Sequence, residues 1–141
     1  MDFMEGKRTL RMAATRKRDL EIEVSFLEGL IKRSPNDVDA LRILGDDLTK
    51  LGRHEDGLKI DEKLAQLLPN DPVVHYNLAC SYSLIHNYSQ SVKELEKALD
   101  LGFSDFKHLR RDPDLKNLRM HPSFKKIREK IRVVREKKKN L

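Results

Sequence analysis

Tryptophan is absent from this 141-residue chain, and only five phenylalanines and three tyrosines are present, so any core must be mainly aliphatic. The one cysteine, Cys80, excludes an intramolecular disulfide and a cysteine-rich metal site. The five histidines (54, 75, 86, 108 and 121) form no HxxxH, HExxH or His–Cys cluster. Six glycines are scattered at turns and packing points, with no P-loop, nucleophile elbow or phosphate cradle among them. No window approaches the ~18 apolar residues of a membrane span. The opening "MDFMEGKRTLRMAATRKRD" has basic residues but no apolar stretch of the secretion-signal kind, so a reducing, cytoplasmic setting is the expectation. His75 and Cys80 lack a sequence-visible catalytic partner. The paired acids Asp46-Asp47 and Asp112/Asp114 read as solvated faces and caps. The chain therefore reads as no enzyme, and no cofactor is implied.

Charge is abundant and unevenly spread. The net charge is +6, but residues 1–18 carry +4, residues 19–105 carry −8 and residues 106–141 carry +10. The overall basicity hides an acidic middle and so does not by itself indicate nucleic-acid binding.

That acidic middle repeats. "SPNDVDALRILGDDL" at 34–48 and "LPNDPVVHYNLACSY" at 68–82 superimpose at a shift of 34 residues. Pro35, Asn36 and Asp37 fall on Pro69, Asn70 and Asp71. Leu44 falls on Leu78, Gly45 on Ala79 and Leu48 on Tyr82; farther along, Gly57 meets Ser91, Leu64 meets Ala98 and Leu67 meets Leu101. Small residues meet small ones and large meet large, as two antiparallel helices require where they approach closely. Asp71 is a good N-cap, Pro72 suits the first helical position, and Gly52-Arg53 and His86-Asn87 are turns where Gly or Asn can end a helix in the left-handed conformation.

A 34-residue period with Leu41-x2-Leu44-Gly45-x2-Leu48 and His75-x2-Leu78-Ala79-x2-Tyr82 resembles the tetratricopeptide repeat (TPR) family. Leu41 and His75 stand where that family prefers a large aromatic, and Asp61 where it expects a large apolar residue; Leu95 keeps that position. The resemblance implies an all-α fold: a short right-handed TPR-like superhelical solenoid of antiparallel helix pairs with a C-terminal capping helix. Residues 38–71 and 72–105 are the two repeats, and 4–37 is a partial, degenerate one with a first helix in 4–17 and a second carrying the stripe Leu20, Val24, Leu27 and Ile31. Asp112-Pro113 and His121-Pro122 each end a short helix. Leu109, Leu115, Leu118, Phe124 and Ile127 look like the closing block of many bacterial TPR proteins, within a last unit spanning 106–141. A final helix near 122–137, apolar at Phe124, Ile127, Ile131 and Val134 and mostly Lys/Arg elsewhere, is the polar-faced cap that a solenoid end needs.

What the resemblance implies about function is a protein-interaction scaffold or adaptor, holding an extended or C-terminal peptide of another protein in the concave groove lined by first helices. Helical spacing points Arg42, Asp46 and Thr49 of one unit, and Val73, Tyr76, Asn77, Cys80 and Leu84 of the next, toward that groove. Cys80 has the alternative of a small buried filler, and Asn77 that of bonding the neighbouring helix. Family members that bind acidic chaperone tails use a carboxylate clamp. Arg42, Asp46, Asn77, Lys107 and Arg111 stand at its five slots, with Asp46 the one chemically incompatible residue. This implies a basic-lined groove. The basic segments "KRTLRMAATRKR" and "KKIREKIRVVREKKKNL" carry the alternative function, association with nucleic acid, and the poorly covered first helix leaves an end-to-end homodimer open.

Overall fold

The computed structural model describes residues 3–140, without the side chains of residues 3–6, 8 and 9, so Arg8 of the basic N-terminal segment lies outside the described side chains. Among the described residues there are helices and turns and no strands. α1 (Phe3–Arg33), α2 (Val38–Lys50), α3 (His54–Leu67), α4 (Pro72–Leu84) and α5 (Tyr88–Asp100) run antiparallel in sequence. The shorter α6 (Phe106–Arg111) and α7 (Lys116–Arg119) follow, then α8 (Lys125–Lys139), with 3-10 turns at Pro113–Leu115 and Pro122–Phe124. The architecture is a short right-handed TPR-like solenoid closed by a capping helix.

Local chemistry sets the boundaries. The Asp37 carboxylate accepts from the Ala40 N–H at 3.1 Å. Its repeat partner Asp71 accepts from Val73 at 2.9 Å and Val74 at 3.2 Å, with Pro72 next in line. Asn87 and Asp105 cap α5 and α6 in the same way. The chain leaves α2 through Gly52 (φ 78°), as expected, but it leaves α4 through His86 (φ 63°) rather than through Asn87. Asn87 is committed to capping α5, so the left-handed step falls one residue earlier.

The close approaches fall where the small residues are. A Cβ at Gly45 would lie 3.0 Å from an Asp61 oxygen and 3.3 Å from Ile60 Cγ2 on α3. In the next pair the Ser91 hydroxyl donates to the Ala79 carbonyl at 2.6 Å. Val24, Leu27, Ala40, Leu44 and Leu48 join α1 to α2, and Leu41, Leu64 and Val74 carry the core into the second pair. The largest cluster joins α4 and α5 to the closing block, where Leu109, Leu115, Leu118 and Ile127 are completely buried. Lys130 of α8 reaches Asp100 of α5 at 2.6 Å.

One expectation fails. Instead of two helices over 4–33, α1 is a single helix of 31 residues. "MAATRKRD" at 12–19 contains neither Gly nor Pro and is rich in strong helix formers, so nothing turns the chain there. The stripe expected of the second helix is present in the second half of α1, where Val24 and Leu27 are buried and Leu20 and Ile31 half-buried. The outward face stays bare: Ile22 is 63% and Phe26 64% exposed.

Candidate functional site

A concave cavity of about 470 Å³ opens between α2, α4 and the start of the closing block. Seven of the ten residues expected in a groove line it: Arg42, Asp46 and Thr49 from α2, and Tyr76, Asn77, Cys80 and Leu84 from α4. The other three do not. Val73 sits on the first turn of α4, 46% exposed and off the lining. Lys107 and Arg111 are exposed on α6 and point elsewhere, because Phe106 and Leu109 are anchored in the core and fix the rotation of that short helix. His108 and Asp112, four residues apart on the remaining face, take the positions assigned to the clamp cations.

The basic lining is thereby corrected to an acidic one. Asp46, Asp61, Asp112 and Asp114 face the cavity, against Arg42 and His108. Arg42 is itself tied to the Asp71 carboxylate at 3.0 Å, which accounts for a cation that a clamp would need free. Burial pushes the Asp71 carboxyl up, but Arg42 and the N–H groups of Val74 and Val73 outweigh it and hold the group below the ordinary carboxylate range. Asp46 pairs with Lys50 at 2.8 Å on an exposed face, where such a pair is worth little.

The floor is a buried hydrogen-bond network. Tyr76 donates its hydroxyl to Asp112 Oδ2 at 2.7 Å, and its ring stacks on Phe103 with centroids 4.3 Å apart. His108 Nε2 lies 3.2 Å from the same oxygen, and the Cys80 thiol 3.7 Å away. Asp112 Oδ1 accepts from the Asp114 N–H at 3.0 Å, and Arg119 donates to the Asp112 carbonyl at 2.6 Å. Asp112 is therefore a buried junction as well as a cap, and not the solvated acid expected. Cys80 faces the cavity and is also buried; both readings of its position hold at once. Burial, then the neighbouring Asp112 and Asp114 charges, push its thiol well up, and burial likewise raises the Tyr76 phenol. A thiol held protonated is a poor nucleophile. The ligand atoms of Cys80, Asp112 and Asp114 lie within 4.8 Å of one another, but Asp112 Oδ2 already accepts from Tyr76.

Asp61 explains its own departure from the repeat pattern. Its carboxyl is buried between α2 and α4 and accepts from the Ser81 hydroxyl. Burial pushes it up to about 6, with the Ser81 bond pulling the other way. The Asp114 carboxyl is raised by burial and by Asp112. Sequence reading missed Asp61, Ser81, His108, Asp112 and Asp114 as cavity residues. For Asp61 a signal existed, since an acid at a packing position must have a partner.

No family model matches the chain. A chloroplastic protein of Arabidopsis thaliana is 28% identical over 126 residues, covering 87% of this chain and 37% of that protein. The chain thus spans little more than a third of that relative's length. Among solved structures, "MamA 41-end from Desulfovibrio magneticus RS-1" superimposes with a TM-score of 0.59 at 23% identity, over 86% of this chain and 72% of that one. The "MamA RS-1 ArsTM double mutant" gives a TM-score of 0.59 at 22% identity, over 86% and 71% of the two chains. The likeness to these structures is one of fold. No described helix is long and apolar enough to cross a membrane.

Proposed function

We propose that this protein is a non-catalytic interaction scaffold whose concave cavity holds a segment of a partner protein, and that the segment presents a basic side chain to the cavity. The observation that carries the reading is the convergence of Asp46 from α2, Asp61 from α3, and Asp112 and Asp114 from the closing block on one space of about 470 Å³. A Lys or Arg reaching inward finds acceptors, while Leu84, Leu64 and the Tyr76 ring give its aliphatic stem apolar contact. An acidic or C-terminal carboxylate would meet like charge in the same space, so the proposed ligand is the inverse of the one a carboxylate clamp takes. Extended peptides on such surfaces are held by pockets for alternate side chains.

The test is an array of short peptides probed with the wild-type chain and with an Asp46→Asn/Asp114→Asn variant of matched thermal stability. Lys- and Arg-bearing peptides are expected to be enriched by wild type and to lose about tenfold or more in affinity with the variant, the scale of one charge-assisted contact. Equal retention of acidic peptides by both proteins would overturn the reading.

A further inference from the structure

A second concavity, of about 450 Å³, lies on the far side of the closing block, between α6, α7 and α8. Its rim is cationic: Arg110, Arg119, Arg128, Arg132, Arg135 and Lys139, against the single carboxylate of Glu136. Arg132 is matched by Glu136 at 2.7 Å and by Glu129. Among the described residues, no carboxylate lies within ion-pair reach of the other five. Several are nevertheless held in place. Arg119 donates to the Leu109 carbonyl at 3.1 Å, and Arg128 donates to the Arg119 carbonyl at 2.9 Å. Arg128 also lies 5.0 Å over the Phe124 ring and Arg135 5.4 Å over Phe106. The floor is apolar, made by Phe124 and Ile131. Oriented, unneutralised cations over an apolar floor fit an anionic ligand with an apolar face. The rings are buried beneath the guanidinium groups, so they offer no platform for stacking nucleic-acid bases.

The opposite end of the solenoid carries such a face. On the outer side of α1, Asp19, Ile22, Glu23 and Phe26 line one patch at the i, i+3, i+4, i+7 spacing of a single helical stripe. Its two apolar members are nearly two-thirds exposed. Glu23 also abuts the buried Asp47 of α2, another carboxyl, and Asp47 Oδ2 has no hydrogen-bond partner. From Asp19 to Ile31 this helix carries Asp19, Glu21, Glu23 and Glu28 and no basic residue, the basic Arg16, Lys17 and Arg18 standing upstream of the patch. Asp19 and Glu23 are four residues apart, a rise of about 6 Å, and Arg135 and Lys139 have the same separation on α8.

We infer that the chain associates head to tail, the acidic and apolar outer face of α1 of one copy docking into the arginine-lined cleft of the C-terminal cap of a second copy. Ile22 and Phe26 cover the Phe124–Ile131 floor, and Asp19 and Glu23 meet the rim. The two surfaces differ, so the contact is heterologous: each copy keeps one free face of each kind, and association continues beyond the dimer unless the rotation closes a ring. It leaves the acidic cavity between α2 and α4 accessible in every copy.

The test is light-scattering mass in solution across protein concentration, at low and high salt. Wild type is expected to rise above the 16.5 kDa monomer with concentration, and to fall back toward it as salt screens the rim. An Ile22→Glu/Phe26→Glu variant and an Arg135→Glu/Lys139→Glu variant, all at surface positions, should each remain monomeric alone. Mixed together they should form a 1:1 dimer and nothing larger, because each supplies the one intact face the other lacks. Charge reversal at Asp19 and Glu23 to Arg should restore association with the Arg135→Glu/Lys139→Glu variant. Asp46→Asn/Asp114→Asn should self-associate like wild type, which separates this inference from the cavity reading. A wild type that is monomeric throughout overturns it. So does a cap variant that still self-associates, since that assigns the contact to α1 pairing with α1, and so does a mixture that stays monomeric.

Discussion

Replacing Asp61 by Asn should stabilise the fold at neutral pH, and the gain should itself depend on pH. The carboxyl is packed against the glycine step of α2 and bonded by Ser81, with no cation beside it, and burial moves its ionisation from 3.8 to about 6. In that interval the folded chain holds a proton that the unfolded chain has released. Stability from this group is therefore complete below about pH 4, is lost as the pH rises through about 6, and stays lost above. A shift of about two units corresponds to roughly 3 kcal/mol, taken as an upper figure. Asn has nearly the same shape, keeps an acceptor for Ser81 and has no proton to lose. Urea unfolding of both proteins from pH 4.5 to 7.5 reads the effect. The unfolded-state ionisation near 3.8 is already partly complete at pH 4.5, so the variant's advantage should widen by about 2 kcal/mol over that range, or on the order of 5–10 °C in Tm. Taking the difference between the proteins removes the parallel titration of Asp47, which burial and Glu23 also push up to about 6. A difference that stays flat with pH would refute the reasoning, because it would mean that Asp61 ionises as an exposed acid does.

Two further outcomes concern packing and reactivity. Gly45→Ala gains helix propensity but sets a methyl 3.0 Å from an Asp61 oxygen, so it should destabilise by ~1–3 kcal/mol, whereas Gly29→Ala, with nothing within 4 Å, should stabilise by up to ~1 kcal/mol; denaturant midpoints separate the two. Cys80, buried and with its thiol raised, should resist a thiol reagent in the folded chain at pH 7.5 and react fully once urea unfolds it. Rapid labelling of the folded chain would contradict the burial argument.

Much of this architecture was legible because packing and capping are written locally. The superposition of Pro35-Asn36-Asp37 on Pro69-Asn70-Asp71, and of Gly45 on Ala79, located the four central helices and their contacts. The leucines at 109, 115 and 118 marked a buried closing block. The character of the cavity was less legible, for two reasons. The azimuth of α6 depends on which side chains win the core. Phe106 and Leu109 do, which turns Lys107 and Arg111 away and brings in His108 and Asp112. Asp61 and Asp112 occupy places that a repeat pattern reserves for packing or capping, so their second role, setting the sign of the cavity, appears only when α3 and the closing block are brought against α4. The unbroken course of α1 depended on a negative, the lack of any residue that stops a helix between 12 and 19.

That unbroken course makes α1 a cantilever. It has 31 residues against the 13 of α2, the helix that supports it, and from Leu10 to Asp19 every side chain is exposed. At ~1.5 Å per residue the exposed stretch from Leu10 to Asp19 alone reaches roughly 15 Å past its mounting. A rod clamped at one end cannot choose its own bearing. Val24 and Leu27, seated against α2, set the heading of the side chains from Leu10 to Asp19. Leu10 stands 14 residues before Val24, close to four whole turns, so its side chain leaves the rod on nearly the core-facing line, 72% exposed. The line of apolar contacts that organises the first helix pair thus runs on beyond the edge of the body, held at a fixed angle over open solvent.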